Sequence, residues 1–251
     1  MDFKLTNKVA LITGASKGIG EAIAIALAAH GAKVMINSRK QEDLDGVAVQ
    51  ITKTGGTCLT FAGNAGDESA IKQMIEKTVT AFGGIDILVN NAASNPAFGP
   101  VVQTEGWAYD KIMAVNVKAP FELAKLAYPI MKSRGGGSVI NISSIAGDRP
   151  DPGLGIYSVS KAALNMLTRV MAKEWGPDQI RVNAICPGLI KTKFSQALWQ
   201  DEAVLNRFMK MVPMKRMGTV DEIAALAVFL ASDVSGYCTG SLFHADGGTT
   251  I

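Results

Sequence analysis

Seven short runs of apolar, largely β-branched residues, at 9–13, 33–38, 57–62, 85–90, 138–143, 180–186 and 241–245, alternate with longer stretches of helical pattern. The helical stretches fall around 19–30, 42–53, 67–82, 107–132, 157–175 and 220–231, leaving connections of the usual short length. The strand runs are continuously apolar, so both faces of the sheet they form must be covered. Strand and helix in regular succession, with a sheet covered on both faces, predicts a doubly wound parallel seven-stranded sheet of the α/β class. The 251 residues suffice for one large domain, 1–251, and no repeat, linker or low-complexity tract divides them.

Composition narrows the function classes. The formal net charge is +3 and the basic residues are scattered, so there is no electrostatic footprint for nucleic acid. Cys58, Cys186 and Cys238 are too few and too widely spaced for a disulfide framework or a zinc motif, and read as small buried hydrophobes in a reducing compartment. His30 and His244 are too few, and too far from the motifs, to provide a histidine base or a metal cluster, so no metal is expected. Charges occupy the N-terminal segment where a signal peptide would be apolar, and the apolar runs fall short of the ~18 residues of a membrane span. A soluble cytoplasmic protein with no membrane partner is expected.

Directly after the first predicted strand comes Thr13-Gly14-Ala15-Ser16-Lys17-Gly18-Ile19-Gly20, opening a helix. A strand, a glycine-rich turn and a helix N-terminus together present backbone N–H groups and a positive dipole end to a pyrophosphate. The same pattern also makes a tight strand-to-helix turn without a ligand, but its context favours a dinucleotide. An acid at the end of the second strand would bond the adenosine ribose 2′-OH. The chain instead has Asn37-Ser38-Arg39-Lys40. Arg39, with Ser38 beside it and Lys17 in the glycine loop, suits a 2′-phosphate, which points to NADP(H). The alternative is that these cations are merely solvated.

Tyr157 and Lys161 stand four residues apart, so on a helix they address one pocket, and Ser144 precedes Tyr157 by thirteen positions. A cation beside a phenol favours its ionised form and makes it a candidate acid/base. Two segments break the strand–helix rhythm, 92–104 and 187–213, both after strand carboxyl ends where ligands sit in open α/β sheets. Met209, Met211, Met214 and Met217 in the second segment could form an adaptable apolar lid or fill a core.

Taken in order, the glycine loop, Asn90-Asn91-Ala92-Ala93, Asn116, Ser144 with Tyr157 and Lys161, Pro187-Gly188-Leu189-Ile190-Lys191-Thr192, and Asp246-Gly247-Gly248 form a specific set. The chain resembles the ~250-residue short-chain dehydrogenase/reductase family over almost its whole length, which implies a Rossmann fold. The resemblance implies that Gly14, Ser16, Lys17, Gly18 and Ile19 contact the cofactor phosphates and ribose. It sets Asn90 and Ala92 beside the adenosine ribose, Asn64 near the adenine, and Pro187, Gly188, Ile190 and Thr192 against the nicotinamide. Ala93 and Asn64 depart from the glycine and aspartate usual in the family.

The same resemblance implies the chemistry. Tyr157 exchanges the proton with the carbonyl or alcohol oxygen, Lys161 stabilises its phenolate and bonds the nicotinamide ribose, Ser144 bonds the substrate oxygen, and Asn116 holds a water linking Lys161 to solvent. Ser144 as a cap and Asn116 as a buried amide bonded to backbone are the structural alternatives. The 187–199 segment is most similar to the NADPH-dependent carbonyl reductases of the family, which implies a ketone or aldehyde substrate. Phe98, Leu154, Ile156, Phe194 and Trp199 suit such a substrate. Rivals are a 3-oxoacyl-carrier-protein reductase, a sugar or alcohol dehydrogenase, and a catalytically silent dinucleotide-sensing regulator. Finally, the Tyr157 helix carries two apolar sets, one of them Val159, Ala163, Met166 and Val170. A second buried face predicts subunit contact, and family members of this kind are mostly homotetramers.

Overall fold

In a computed structural model, which describes residues 3–251 apart from the side chain of residue 197, the seven predicted strands form one parallel sheet. Its strands are β1 (Val9–Thr13), β2 (Lys33–Ser38), β3 (Thr57–Ala62), β4 (Ile87–Asn90), β5 (Gly137–Ile142), β6 (Ile180–Pro187) and β7 (Leu242–Ala245). They lie in the order β3-β2-β1-β4-β5-β6-β7. Strand order reverses between β1 and β4, and that switch point opens a crevice at the carboxyl ends of the strands.

Helices α1 (Gly18–Ala29), α2 (Gln41–Lys53), α3 (Glu68–Phe82), α4 (Gly106–Met113), α5 (Ala119–Ser133), α6 (Gly155–Trp175), α7 (Gln196–Trp199), α8 (Glu202–Met211) and α9 (Val220–Ala231) complete the described chain. The strands are apolar throughout because they feed two cores at once. Ala10 and Ile12 of β1 pack with Ile23 and Leu27 of α1 and Ile223 and Leu230 of α9, while Leu11 between them packs with Met74 of α3 and Leu123 of α5. Each fully buried Leu or Ile contributes roughly 1.5–3 kcal/mol.

The departures from the sequence expectation have local causes. Ladder pairing at the start of β4 is interrupted because the Asp86 carboxylate, not a carbonyl, takes the Val9 N–H at 2.7 Å, while Arg134 grips both its oxygens at 2.8 and 3.0 Å. The helix expected over 107–132 is interrupted by a π-helical turn, Ala114–Lys118. Pro120 has no N–H to give the carbonyl of Asn116, its partner four residues back in an α-helix, and the ladder widens just before it. In the irregular 187–213 segment, α8 forms with Asp201 as its cap, accepting from Ala203 N and Val204 N, yet buries none of its residues fully. Helix α9 spans the predicted 220–231 and starts with a capping box between Thr219 and Glu222.

Candidate active site

The glycine loop is laced to the neighbouring strand. The Asn91 amide donates to the carbonyls of Thr13 and Gly14 at 3.0 and 2.9 Å, and the Thr13 hydroxyl accepts from Asn91 N and Ala92 N, both at 3.1 Å. A Cβ on Gly14 would lie 2.9 Å from Ala92 Cα, and one on Gly20 would lie 2.4 Å from the Asn91 amide. Gly14 and Gly18 also have φ of +65° and +64°, so the loop follows a path open to glycine and costly to other residues. Helix α1 begins with no side-chain cap, which leaves its first N–H groups facing the crevice for an anion. Ser38 donates to Ser16 at 2.9 Å and thereby joins the end of β2 to the loop.

One cavity of about 580 Å³ runs over the strand ends and receives nearly every residue singled out from the sequence. Gly14, Ser16, Lys17, Gly18 and Ile19 line it beside Ser38, Arg39 and Asn64, above β1, β2 and β3. Ala92 lies at the switch point, and Ser144, Tyr157, Lys161, Pro187, Gly188, Ile190 and Thr192 line the part above β5 and β6. No acid stands near Arg39 on the lining, and the uncapped helix and the cradle without Cβ atoms suit a dinucleotide phosphate.

Asn90 and Asn116 are not on the cavity wall. Asn90 is buried and donates to Asn141 at 2.8 Å, while its Oδ1 has no partner. The Asn116 side chain is fully buried: its amide donates to Ser94 O and Ser160 Oγ, each at 3.0 Å, and its Oδ1 accepts Ser94 N at 2.8 Å. It braces the segment after β4 against α6, as the structural alternative for this residue foresees.

Ser144 ends the β5 connection in extended backbone, caps the short turn Ile145–Gly147 by accepting Ala146 N at 3.1 Å, and stands close enough to Tyr157 to act on its phenol. It therefore acts as a cap and also reaches the phenol. Tyr157 is 9% exposed and Lys161 2% exposed, one helical turn apart on α6. The Lys161 ammonium donates to Ile142 O at 2.8 Å and lies 5.6 Å from the centre of the Tyr157 ring. Burial pushes the Tyr157 phenol up to about 12, with Ser144 pulling the other way, and pushes Lys161 down to about 8. The phenol that the lysine was expected to hold low is raised instead, because desolvation dominates.

Of the apolar residues expected to meet a substrate, Phe98, Leu154 and Phe194 line the cavity, joined by Leu198 and Phe208. The Phe194 ring is 6.2 Å from that of Tyr157. Ile156 and Trp199 are not on the wall; Trp199 turns back to donate to Thr192 O at 3.0 Å. Sequence reasoning quoted Thr13 and Asn91 within their motifs and gave them no task, although their place beside the glycine loop was the available signal. Ser94 and Asn95 on the wall fall in the irregular 92–104 segment expected to meet a ligand, whereas Asp151 was missed, no local pattern marking it.

Comparison with known proteins places this geometry. A family model described as enoyl-(acyl carrier protein) reductase matches residues 14–250. Dehydrogenase/reductase SDR family member 4 of Sus scrofa is 42% identical over 245 residues, covering 98% of this chain and 88% of its own. A 7α-hydroxysteroid dehydrogenase solved with NADH and 7-oxo glycochenodeoxycholic acid superposes with a TM-score of 0.95 at 30% identity, covering 98% and 96% of the two chains. A protein from Beutenbergia cavernae, assigned as an NAD(P)-dependent gluconate 5-dehydrogenase and holding NADP at low occupancy, superposes with a TM-score of 0.94 at 30% identity, covering 99% of each. With its parallel sheet, glycine loop and Ser144, Tyr157 and Lys161 on one cleft, the chain belongs to the short-chain dehydrogenase/reductase family.

Proposed function

We propose that this oxidoreductase interconverts a ketone or aldehyde and an alcohol with NADP(H), using Tyr157 as general acid/base. The observation that supports it most is the convergence of Ser144, Tyr157 and Lys161 on one apolar-walled end of a cleft whose other end has a phosphate cradle and Arg39. Bound NADPH supplies the hydride. A phenol raised to about 12 is protonated at neutral pH and ready to give its proton to the carbonyl oxygen. Ser144 orients that oxygen by a hydrogen bond that strengthens as charge develops on it. Lys161, cationic below about 8, stabilises the phenolate left behind. Asn116, its side chain spent on Ser94 and Ser160, braces α6 beside this relay, where a water would link Lys161 to solvent.

Ser16, Lys17 and Arg39 at the adenosine end favour the 2′-phosphate of NADP(H), since no carboxylate there would bond a free 2′-OH. Phe98, Leu154, Phe194, Leu198 and Phe208 favour an apolar carbonyl compound. The relative that binds a 7-oxo bile-acid conjugate is compatible with that class, and the gluconate dehydrogenase keeps a sugar substrate as the second reading. We further propose a cytoplasmic homotetramer. Val159, Met166 and Val170 form an exposed apolar stripe on α6, 52%, 55% and 43% exposed, with Phe121 of α5 exposed as well.

A panel of ketones, aldehydes and sugar acids assayed with NADPH and NADH separately tests these readings. Oxidation of NADPH by apolar ketones is the expected result. Activity confined to NADH and polyols would replace this reading with the sugar dehydrogenase, and no turnover with any carbonyl would favour a silent dinucleotide sensor.

A further inference from the structure

Away from the cleft wall, the fold gathers three metal-ligating side chains that lie far apart in the sequence. The ligand atoms of Asp148, Cys186 and His244 all lie within 4.8 Å of one another. Cys186 and His244 are register partners across the parallel pair of β6 and β7, so their side chains leave the same face of the sheet. Asp148 follows the turn Ile145–Gly147, and its Oδ2 is 2.7 Å from His244 Nε2. The Asp148 and His244 side chains are about one-third exposed, 35% and 34%, and Cys186 is fully buried. The result is a niche with a thiol at its base and a carboxylate and an imidazole at its rim.

Groups around the niche hold these ligands in place. The Asn165 amide donates to Asp148 Oδ1 at 3.2 Å, which leaves Oδ2 for the niche, and Ser143 fixes Asn165 by donating to its Oδ1 at 2.6 Å. The Cys186 thiol donates to the same Asn165 Oδ1 at 3.9 Å, so Asn165 touches two of the three ligands. A hydrogen bond like that from Asn165 to the Asp148 carboxylate is what a metal centre uses as outer support. One thiolate, one imidazole and one carboxylate, with a solvent-facing side, match a four-coordinate zinc-type ion and not the all-oxygen shell of calcium or magnesium. Ligand atoms around such an ion stand roughly 3.2–3.6 Å apart, so small rotations of the two exposed side chains suffice.

We propose that Asp148, Cys186 and His244 form a binding site for a thiophilic divalent cation of the zinc type, with water as fourth ligand. Binding releases the Cys186 proton to solvent and opens the direct His244–Asp148 hydrogen bond. It ties the turn after Ser144 to the ends of β6 and β7, and it does not depend on the oxidoreductase reading.

The test is titration of the chelator-treated full-length protein with Co²⁺ as spectroscopic probe, followed by displacement with Zn²⁺. One equivalent of Co²⁺ should produce a thiolate-to-cobalt charge-transfer band with the intense visible bands of tetrahedral coordination, and Zn²⁺ should remove both. Cys186→Ser should abolish the charge-transfer band, and His244→Ala and Asp148→Asn should each weaken binding by at least ~10-fold. Because Cys186→Ser alters the core, the two rim variants decide the matter if it fails to fold, with circular dichroism confirming that they remain native. No band in the wild-type protein, a band that persists in Cys186→Ser, or wild-type affinity in His244→Ala would overturn the site and leave a His–Asp ion pair above a structural cysteine.

Discussion

Burial acts on Tyr157 and Lys161 in opposite directions, raising the phenol to about 12 and lowering the ammonium to about 8. Near neutrality the resting state therefore pairs the acid form of Tyr157 with a Lys161 that is still mostly cationic. Carbonyl reduction needs the protonated phenol and the cationic lysine, so its rate should be flat with pH up to about 8 and fall above it as Lys161 loses its proton. A reduction rate still level well above that pH would remove Lys161 from the mechanism. Tyr157→Phe should lower turnover by about 10²–10⁴-fold while NADPH binding, followed by fluorescence, stays near the wild-type value.

The same buried lysine has a stability consequence. Its folded pKa, about 8, lies below the ordinary 10.5, so the unfolded chain holds more protons between those values and stability rises with pH across that window. Lys161→Met should therefore stabilise the protein at pH 7 by about 2 kcal/mol, allowing for the lost bond to Ile142 O, and the gain should shrink toward pH 10. Urea unfolding of both proteins at the two pH values measures it. At the far end of the cleft, Arg39→Asp should raise the KM for NADPH by about 10–100-fold, the worth of one charge-assisted hydrogen bond. An unchanged KM would return Arg39 to the solvated surface.

At the scale of elements, the loop between β1 and α1 depends on β4 as much as on its own glycines. Asn91 bonds the carbonyls of Thr13 and Gly14, and the space that a Cβ on Gly14 or Gly20 would fill is taken by Asn91 and Ala92. Gly14→Ala adds a left-handed backbone penalty to that clash and should destabilise the fold by about 2 kcal/mol or more, as well as weakening dinucleotide binding. A fully stable Gly14→Ala protein in calorimetry would mean the loop can move away from β4 at little cost. The α4–α5 junction is a second case. Pro120 was visible in the sequence, yet the consequence, a π turn that sets Asn116 against Ser94 and Ser160, depends on what packs beside it.

At the scale of the whole molecule, the exposed stripe of Val159, Met166 and Val170 is the feature a lone subunit leaves unexplained. Charges in a buried subunit contact are costly and on a free surface nearly neutral. If the proposed tetramer uses this stripe, Met166→Lys combined with Val170→Lys should shift the protein toward smaller species in sedimentation, with secondary structure retained. Identical sedimentation of variant and parent would place the subunit contact elsewhere or remove it.

What the sequence determined by itself is what neighbours two to four residues apart encode. The rhythm of strands and helices, the glycine turn feeding α1, and the shared face of Tyr157 and Lys161 were legible because backbone periodicity and steric freedom are local properties. The predicted site residues that line the cavity belong to such local motifs. Tertiary structure alone decided the strand order, the union of both cleft ends in one cavity, and the bracing role of the Asn116 side chain. It also decided that desolvation governs the phenol, and that Asp148, Cys186 and His244 meet. Each of these depends on groups distant in sequence being brought together and removed from water by sheet pairing and packing, a long-range outcome that no window of the chain contains.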